Sequence, residues 1–158
     1  MARLMPISST KTGDNRGVCI ACGAMCCKLG GALAMEEEVE AIRAHGYPDY
    51  FEQVSEGAWM TRWGDDGVCP YLTDDGCAIY EVRPLRCRAF PVIQMSSGEV
   101  FLSQCPLAEQ MSPDTMEESK NLLLQTPAAV LVDSARHLSR HAAILKMRIS
   151  RYGLRPIR

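Results

Sequence analysis

All eight cysteines of this 158-residue chain lie between Cys19 and Cys105, and their spacing constrains its fold and chemistry more than any other feature. Four of them fall within nine residues, where neighbouring thiolates repel one another unless a cation neutralises their charge. Gly23 directly follows the Cys19-x2-Cys22 pair and allows the positive φ angles that a turn around a metal often needs. This first group therefore predicts metal ligands: Cys19, Cys22, Cys26 and Cys27.

The remaining four cysteines are dispersed, and a hairpin together with a short helix would have to bring them to one site. Two of them precede proline, an arrangement that recurs at the last ligand of some iron–sulfur motifs and that also stiffens zinc loops. Three arginines surround one of them, and their guanidinium groups would offset the negative charge of a thiolate cluster. The predicted ligands are Cys69, Cys77, Cys87 and Cys105, and the arginines are Arg83, Arg86 and Arg88.

The apolar content of the chain is low for a fold held by hydrophobic burial alone, with 34 Leu, Ile, Val and Phe residues among 158. We therefore expect a small, metal-stapled α+β domain, rich in helix and with short β-hairpins, to which the metal adds folding energy. The predicted organisation is a flexible arm over residues 1–17, a cysteine-cluster metal-binding domain over residues 18–112, and a helical C-terminal extension over residues 113–158 packed on it.

No segment has the apolar run of a secretion signal or the roughly 20 apolar residues of a membrane span. We therefore expect a cytoplasmic protein without membrane contact. In a reducing cytosol, clustered thiols serve as metal ligands or redox groups more often than as disulfides.

Hydrophobic periodicity and turn residues predict the local elements of the first half. A helix is predicted from Met35, with three glutamates in its first turn and Gly46 just beyond its end. A second short helix is predicted from Pro48 to about Glu56. Short strands and tight turns follow, with a hairpin at Asp75-Gly76.

The second half is predicted to contain another hairpin, around Ser96-Ser-Gly98. From Pro113 to Tyr152 the chain is predicted to be mostly helical, divided at Pro127. The part after Pro127 carries one apolar stripe at helical spacing, formed by Leu131, Ala135, Leu138, Ala142, Leu145, Ile149 and Tyr152.

The cysteines and the residues around them resemble the YkgJ-type cysteine-cluster family, which is described as zinc- or iron-chelating and to which flagellin lysine N-methylases are related. The resemblance extends over about half of the chain, from Cys19 to Pro91. The segments that carry it are Cys19-x2-Cys22-x3-Cys26-Cys27, Cys69-Pro70-Tyr71-Leu72 and Cys77-Ala-Ile-Tyr80-Glu-Val-Arg83-Pro84-Leu85-Arg86-Cys87-Arg88-Ala89-Phe90-Pro91.

The resemblance implies metal ligation by seven cysteines and structural roles alone for Tyr80, Arg83, Pro84 and Pro91. Cys105 lies outside the similar region, and its assignment as a ligand rests on the cysteine count alone. The seven cysteines are Cys19, Cys22, Cys26, Cys27, Cys69, Cys77 and Cys87.

The sequence leaves the metal open between an iron–sulfur cluster and zinc. Irregular ligand spacing fits a cluster, whereas four-cysteine zinc sites use close pairs, of which Cys19 and Cys22 form one.

The first functional hypothesis is a non-catalytic metal-binding module that chelates metal, carries electrons or contacts a protein. The alternatives are a metal-dependent enzyme or enzyme subunit in protein modification, similar to a lysine methylase, and a partner-binding module with a structural metal. No catalytic residue is assigned, because no phosphate-loop, nucleophile-elbow or methyl-donor motif is present.

The end of the chain is basic, with seven Lys or Arg and no Asp or Glu from Ser134 onward. We expect this segment to contact an acidic surface, either of its own chain, of a protein partner or of a second copy in a dimer. It has no aromatic residue before Tyr152, so nucleic-acid binding is not predicted. His137 and His141 are spaced as helical metal ligands, but arginines flank them, and we expect both to face solvent.

Overall fold

Small antiparallel sheets and short helices alternate along the chain, which confirms the predicted α+β class. The computed structural model describes residues 32–62, 68–104, 106–141, 143, 146, 150 and 155–157. The predicted arm over residues 1–17 lies outside the described residues, as do Cys19, Cys22, Cys26, Cys27 and Cys105.

The first helix follows the prediction closely. Strand β1 (Leu33–Met35) leads directly into helix α1 (Glu36–Ala44), whose first turn contains three glutamates that interact favourably with the helix dipole. Val39 and Ile42 form its buried face, and Gly46 adopts a φ of +83° just beyond its end. A positive φ at this position is the usual way in which a helix ends.

A strand replaces the second short helix that was predicted to begin at Pro48. Strand β2 (Phe51–Ser55) pairs antiparallel with β3 (Ala58–Thr61), and the sheet order is β1-β3-β2. Gly57, with a φ of +72°, makes the turn between β2 and β3. The helix prediction is wrong because an isolated two-turn helix is marginal in water, whereas pairing with β3 satisfies the same backbone groups and buries Phe51.

The cysteine-bearing middle of the chain forms the predicted hairpin. Strand β4 (Leu72–Thr73) pairs with β5 (Gly76–Cys77), and Gly76 has a φ of +103°. A single turn of 3₁₀ helix (Tyr80–Val82) and the short helix α2 (Leu85–Ala89) follow. Pro84 lies between these two short helical segments.

The second predicted hairpin is confirmed, and a third strand that was not predicted joins it. Strand β6 (Val92–Gln94) pairs with β7 (Val100–Leu102) through a turn in which Gly98 has a φ of +92°. Strand β8 (Arg155–Pro156), near the end of the chain, adds antiparallel to the other side of β7.

Helices dominate the last third of the described residues, as predicted. Helix α3 (Pro106–Gln110) is followed by α4 (Pro113–Leu123) and α5 (Ala128–Leu138), and one 3₁₀ turn (Ser139–His141) extends α5. Pro127 is the N-cap residue of α5, which confirms the predicted division.

The apolar stripe predicted after Pro127 lies at the edge of the buried face of α5 rather than at its centre. Val130 and Ser134 are the buried residues of this helix. Leu131, Ala135 and Leu138 are half-buried, and the other stripe residues lie outside the described side chains.

Buried side chains form three clusters in the described part of the chain. The first core cluster lies between α2, the β6–β7 hairpin and α4, the second between α1, β2 and the β4–β5 hairpin, and the third between the first sheet and α5. The second core cluster comprises Ala34, Val39, Ile42, Phe51, Tyr71 and Ile79, and the first comprises Leu85, Ala89, Val92, Val100, Leu102, Leu122 and Leu123. Among the described residues, no helix is both long and apolar enough to cross a bilayer.

Candidate metal centre

The β4–β5 hairpin brings Cys69 and Cys77 to the same end of the second core cluster. Leu72 pairs with Cys77 across the hairpin, and the backbone N–H of Leu72 donates to the carbonyl oxygen of Cys69 at 3.1 Å. Both cysteines are half-buried and pack against the second core cluster, which contains Tyr71. The hairpin therefore joins two predicted ligands that are eight residues apart in the sequence.

Cys87 lies on a different element, the short helix α2. Its backbone N–H donates to the carbonyl oxygen of Pro84 at 2.9 Å in the first turn of that helix, and its side chain is half-buried. Leu85 and Ala89 of the same helix are buried in the first core cluster. The three described cysteines are thus supported by two separate core clusters.

Arg86, next to Cys87, is held by neutral partners. Its NH2 group donates to Oε1 of Gln94 at 2.8 Å and to the hydroxyl of Thr126 at 3.3 Å. Desolvation lowers the pKa of Arg86 to about 10, while the negative charges of Glu38 and of a Cys87 thiolate oppose that decrease. The guanidinium charge is therefore poorly solvated and is favoured by negative charge at Cys87.

Arg83 and Arg88 are linked to each other through the backbone of Arg83. The guanidinium of Arg83 lies 3.7 Å above the ring centre of Tyr80, and its Nε donates to the Tyr80 carbonyl oxygen at 2.8 Å. Nε of Arg88 donates to the Arg83 carbonyl oxygen at 3.1 Å. Desolvation also lowers the pKa of Arg88. Of the three arginines, Arg86 and Arg88 lie close enough to Cys87 for a thiolate charge to act on them, and each of the three has a contact within the fold.

Glu38 is a buried carboxylate that the sequence marks only as one of three glutamates in the first turn of α1. Its Oε1 accepts a hydrogen bond from the N–H of Met35 at 3.1 Å, and its Oε2 accepts one from the N–H of Leu85 in α2. The Oε2 atom also lies 3.9 Å from NH2 of Arg88. Desolvation raises the pKa of Glu38, although both backbone donors and the arginines act to lower it. Position N3 of α1 indicates the first contact, but no local pattern predicts a partner 47 residues away.

A cleft of about 220 Å³ lies beside Glu38, between α1, the 3₁₀ turn and α2. Charged side chains of both signs surround two apolar ones, so the cleft carries no strong excess of either charge. Its lining consists of Glu37, Glu38, Ala41, Glu81, Val82, Arg83 and Arg88.

His137 is packed against the first sheet, and the expectation that it faces solvent is wrong. Its side chain is 10% exposed, and its Nε2 lies 2.9 Å from Oε1 of Glu52 in β2. The cause is the packing of α5 on β2, where the hydroxyl of Ser55 also donates to Asp133 at 2.6 Å. The ring of His141 is 6.5 Å from that of His137 between centroids.

Within the part of the chain that the structure describes, no three His, Cys, Asp or Glu side chains converge as a metal site. That part contains Cys69, Cys77 and Cys87 and leaves out the other five predicted ligands. The donor chemistry nevertheless fits the expected metals, because thiolates are soft ligands that suit zinc and iron–sulfur clusters and not calcium or magnesium.

Comparison with known proteins identifies the family. No curated protein and no solved structure matches the chain significantly. Residues 18–106 match the family model CxxCxxCC, described as "Putative zinc- or iron-chelating domain". In this chain three residues, rather than the two of the family name, separate Cys22 from Cys26. Since the match covers more than half of the sequence, the chain belongs to the CxxCxxCC family of zinc- or iron-chelating domains.

Proposed function

We propose that this chain is a non-catalytic metal-binding module whose cysteines hold an iron–sulfur cluster as thiolate ligands. The observation that carries the proposal is the β4–β5 hairpin, which brings Cys69 and Cys77 together at the second core cluster. The remaining ligands in this proposal are Cys87 on α2 and the cysteines outside the described residues, Cys19, Cys22, Cys26, Cys27 and Cys105.

The charge around α2 supports a site that carries net negative charge. Arg86 and Arg88 lie close enough to Cys87 for a thiolate charge to act on them, and desolvation lowers the pKa of both. A thiolate-bound centre at Cys87 would add its negative charge to that of Glu38 beside these two arginines. The proposed ligands are irregularly spaced in the sequence, which favours a cluster because clusters tolerate irregular spacing.

Zinc is the second candidate, because Cys19 and Cys22 form a close pair of the kind that four-cysteine zinc sites use. Metal analysis and absorption spectroscopy of the full chain, purified without oxygen, separate the two. An iron–sulfur cluster gives a brown protein that contains iron and sulfide and has broad visible absorption. A colourless protein with stoichiometric zinc would replace the cluster by a zinc site, and a protein without bound metal would overturn the proposal.

Metal removal tests whether the metal also stabilises the fold. A structural metal contributes on the order of 10 kcal/mol to folding, and the apolar core of this chain is small. We expect a chelator to lower the thermal midpoint and the circular dichroism signal, with the loss confined mainly to residues 19–105. An unchanged thermal midpoint after verified metal removal would show that the metal does not stabilise the fold.

A further inference from the structure

The Glu38 carboxylate contacts α2 on both sides of Cys87. It accepts a hydrogen bond from the N–H of Leu85, two residues before the cysteine, and lies 3.9 Å from the guanidinium of Arg88, one residue after it. Its side chain is 11% exposed, so water competes little with either contact.

This carboxylate compensates for a missing helix cap. Pro84, the N-cap residue of α2, offers no side-chain acceptor, and the first N–H groups of a helix have no partner within the helix. Glu38 supplies the acceptor from another helix, while its second oxygen caps its own helix α1 at Met35. One carboxyl group therefore fixes the starts of two helices relative to each other.

The two helices connected in this way belong to different core clusters. Val39, next to Glu38, is buried in the second core cluster, against which Cys69 and Cys77 pack. Leu85 is buried in the first core cluster, together with the rest of the apolar face of α2, the helix that carries Cys87. The position of Cys87 relative to the other two cysteines therefore depends in part on the contact between α1 and α2.

We infer that Glu38 is a positioning residue of the metal centre, which holds α2 in place and thereby positions Cys87 as a ligand. The inference rests on the proposed role of Cys87 as a ligand. Groups that orient metal ligands in this way typically change metal affinity by about 10- to 100-fold when they are replaced.

The test uses the full chain loaded with Co²⁺, whose thiolate charge-transfer absorption reports how many sulfurs bind it. We expect Glu38→Gln to lower this absorption per bound cobalt to the level of Cys87→Ser, and to weaken cobalt binding by about 10- to 100-fold. The double variant should then resemble either single variant, because both remove the same ligand. A merely structural role would lower the melting temperature and leave the absorption per bound cobalt unchanged.

Two further variants separate the effect of the length of the Glu38 side chain from the effect of its charge. Glu37→Gln removes the same charge from the adjacent, exposed position, and it should leave the cobalt spectrum unchanged. Glu38→Asp keeps the charge and can still cap α1, but it is one methylene too short to reach Leu85 as well. It should therefore lose the Cys87 contribution as Glu38→Gln does, and it remains informative if the glutamine variant does not fold.

The outcomes distinguish the inference from the function on which it rests. If Cys87→Ser lowers the absorption and both Glu38 variants keep it, Cys87 is a ligand and the positioning role is overturned. If Cys87→Ser itself leaves the cobalt spectrum unchanged, the assignment of Cys87 as a ligand fails, and the role of Glu38 fails with it.

Discussion

The hydroxyl group of Tyr71 accepts a hydrogen bond from the backbone N–H of Tyr50 at 3.0 Å. It also donates to the carbonyl oxygen of Pro48, so it connects the β4–β5 hairpin to the segment that leads into β2. Tyr71 is 2% exposed, and its ring lies 5.0 Å from that of Tyr50 and 5.8 Å from that of Phe51 between centroids. Desolvation raises the pKa of Tyr71, so its hydroxyl stays protonated and can donate to Pro48.

Tyr71→Phe removes both hydrogen bonds and preserves the ring. We expect a loss of about 1–2 kcal/mol in the free energy of unfolding, measured by urea denaturation with the metal bound, because two part-buried hydrogen bonds are lost. Tyr50→Phe, at a side chain that is 38% exposed, is the matched control and should cost less than about 0.5 kcal/mol. Equal effects of the two variants would contradict this role of Tyr71.

Asp49 provides a pH-dependent contact at the end of α1. It accepts hydrogen bonds from the N–H of Phe51 at 3.0 Å and from Nε of Arg43 at 2.8 Å. Desolvation acts to raise the pKa of Asp49, but these two donors and the positive charges of Arg43 and Arg62 together outweigh it, and the pKa lies below its usual value of 3.8. Its contribution to stability is therefore present above pH 3.8 and is lost as the pH falls through the lowered pKa.

Asp49→Asn should therefore be less stable than the wild type at pH 7, and the difference should shrink below pH 3.8. Urea denaturation of both proteins at pH 7 and below pH 3.8 measures this difference in stability. High salt at pH 7 should also shrink the difference, because both side chains are more than a third exposed and the pair is screened. A difference that depends on neither pH nor salt would show that the ion pair does not contribute.

Arg86 offers a test of the charge around the metal. Its guanidinium has neutral partners in Gln94 and Thr126, and a thiolate at Cys87 acts to keep it protonated. Because each charge stabilises the other, Arg86→Met should weaken zinc or iron binding by about 10- to 100-fold in a competition with a chelator. Arg136→Met, at a side chain that is 78% exposed, should leave the affinity unchanged. Equal effects of both variants would show that Arg86 serves packing alone.

Elements with a strong local signal could be predicted from the sequence. The start of α1 at the three glutamates and its end before Gly46, the turns at Gly76 and Gly98, and the break at Pro127 all depend on residues next to one another in the chain. Each of these signals reflects a local backbone preference, and the backbone adopts the favoured conformation at each of these positions.

The failures lie where a partner distant in sequence decides the structure. Residues after Pro48 form a strand because β3 is available to pair with them, and His137 is covered because α5 packs on β2. The contact of Glu38 with α2 could not be predicted for the same reason, because Leu85, which donates to it, is 47 residues away. The cysteine spacing predicts the family and metal binding by thiolates, but it contains no information on which side chain holds α2 in place.

Helix α4 contains two serines for which opposite effects are expected. Ser112 is the N-cap residue, and its hydroxyl accepts a hydrogen bond from the N–H of Thr115 at 3.1 Å. Ser119, in the middle of the helix, is fully buried, and among the described residues its hydroxyl has no hydrogen-bond partner. A buried hydroxyl without a partner destabilises the folded state, whereas a helix cap stabilises it.

Ser112→Ala should therefore lower the free energy of unfolding by about 1 kcal/mol, because an N–H at the start of α4 loses its acceptor. Ser119→Ala should raise it by about 1 kcal/mol, because the buried hydroxyl is removed and alanine favours the helix more. Urea denaturation of both variants at equal metal content measures the two changes, and each serves as the control for the other. If Ser119→Ala is also destabilising, its hydroxyl has a partner in solution, and the burial of this helix face is less dry than the structure indicates.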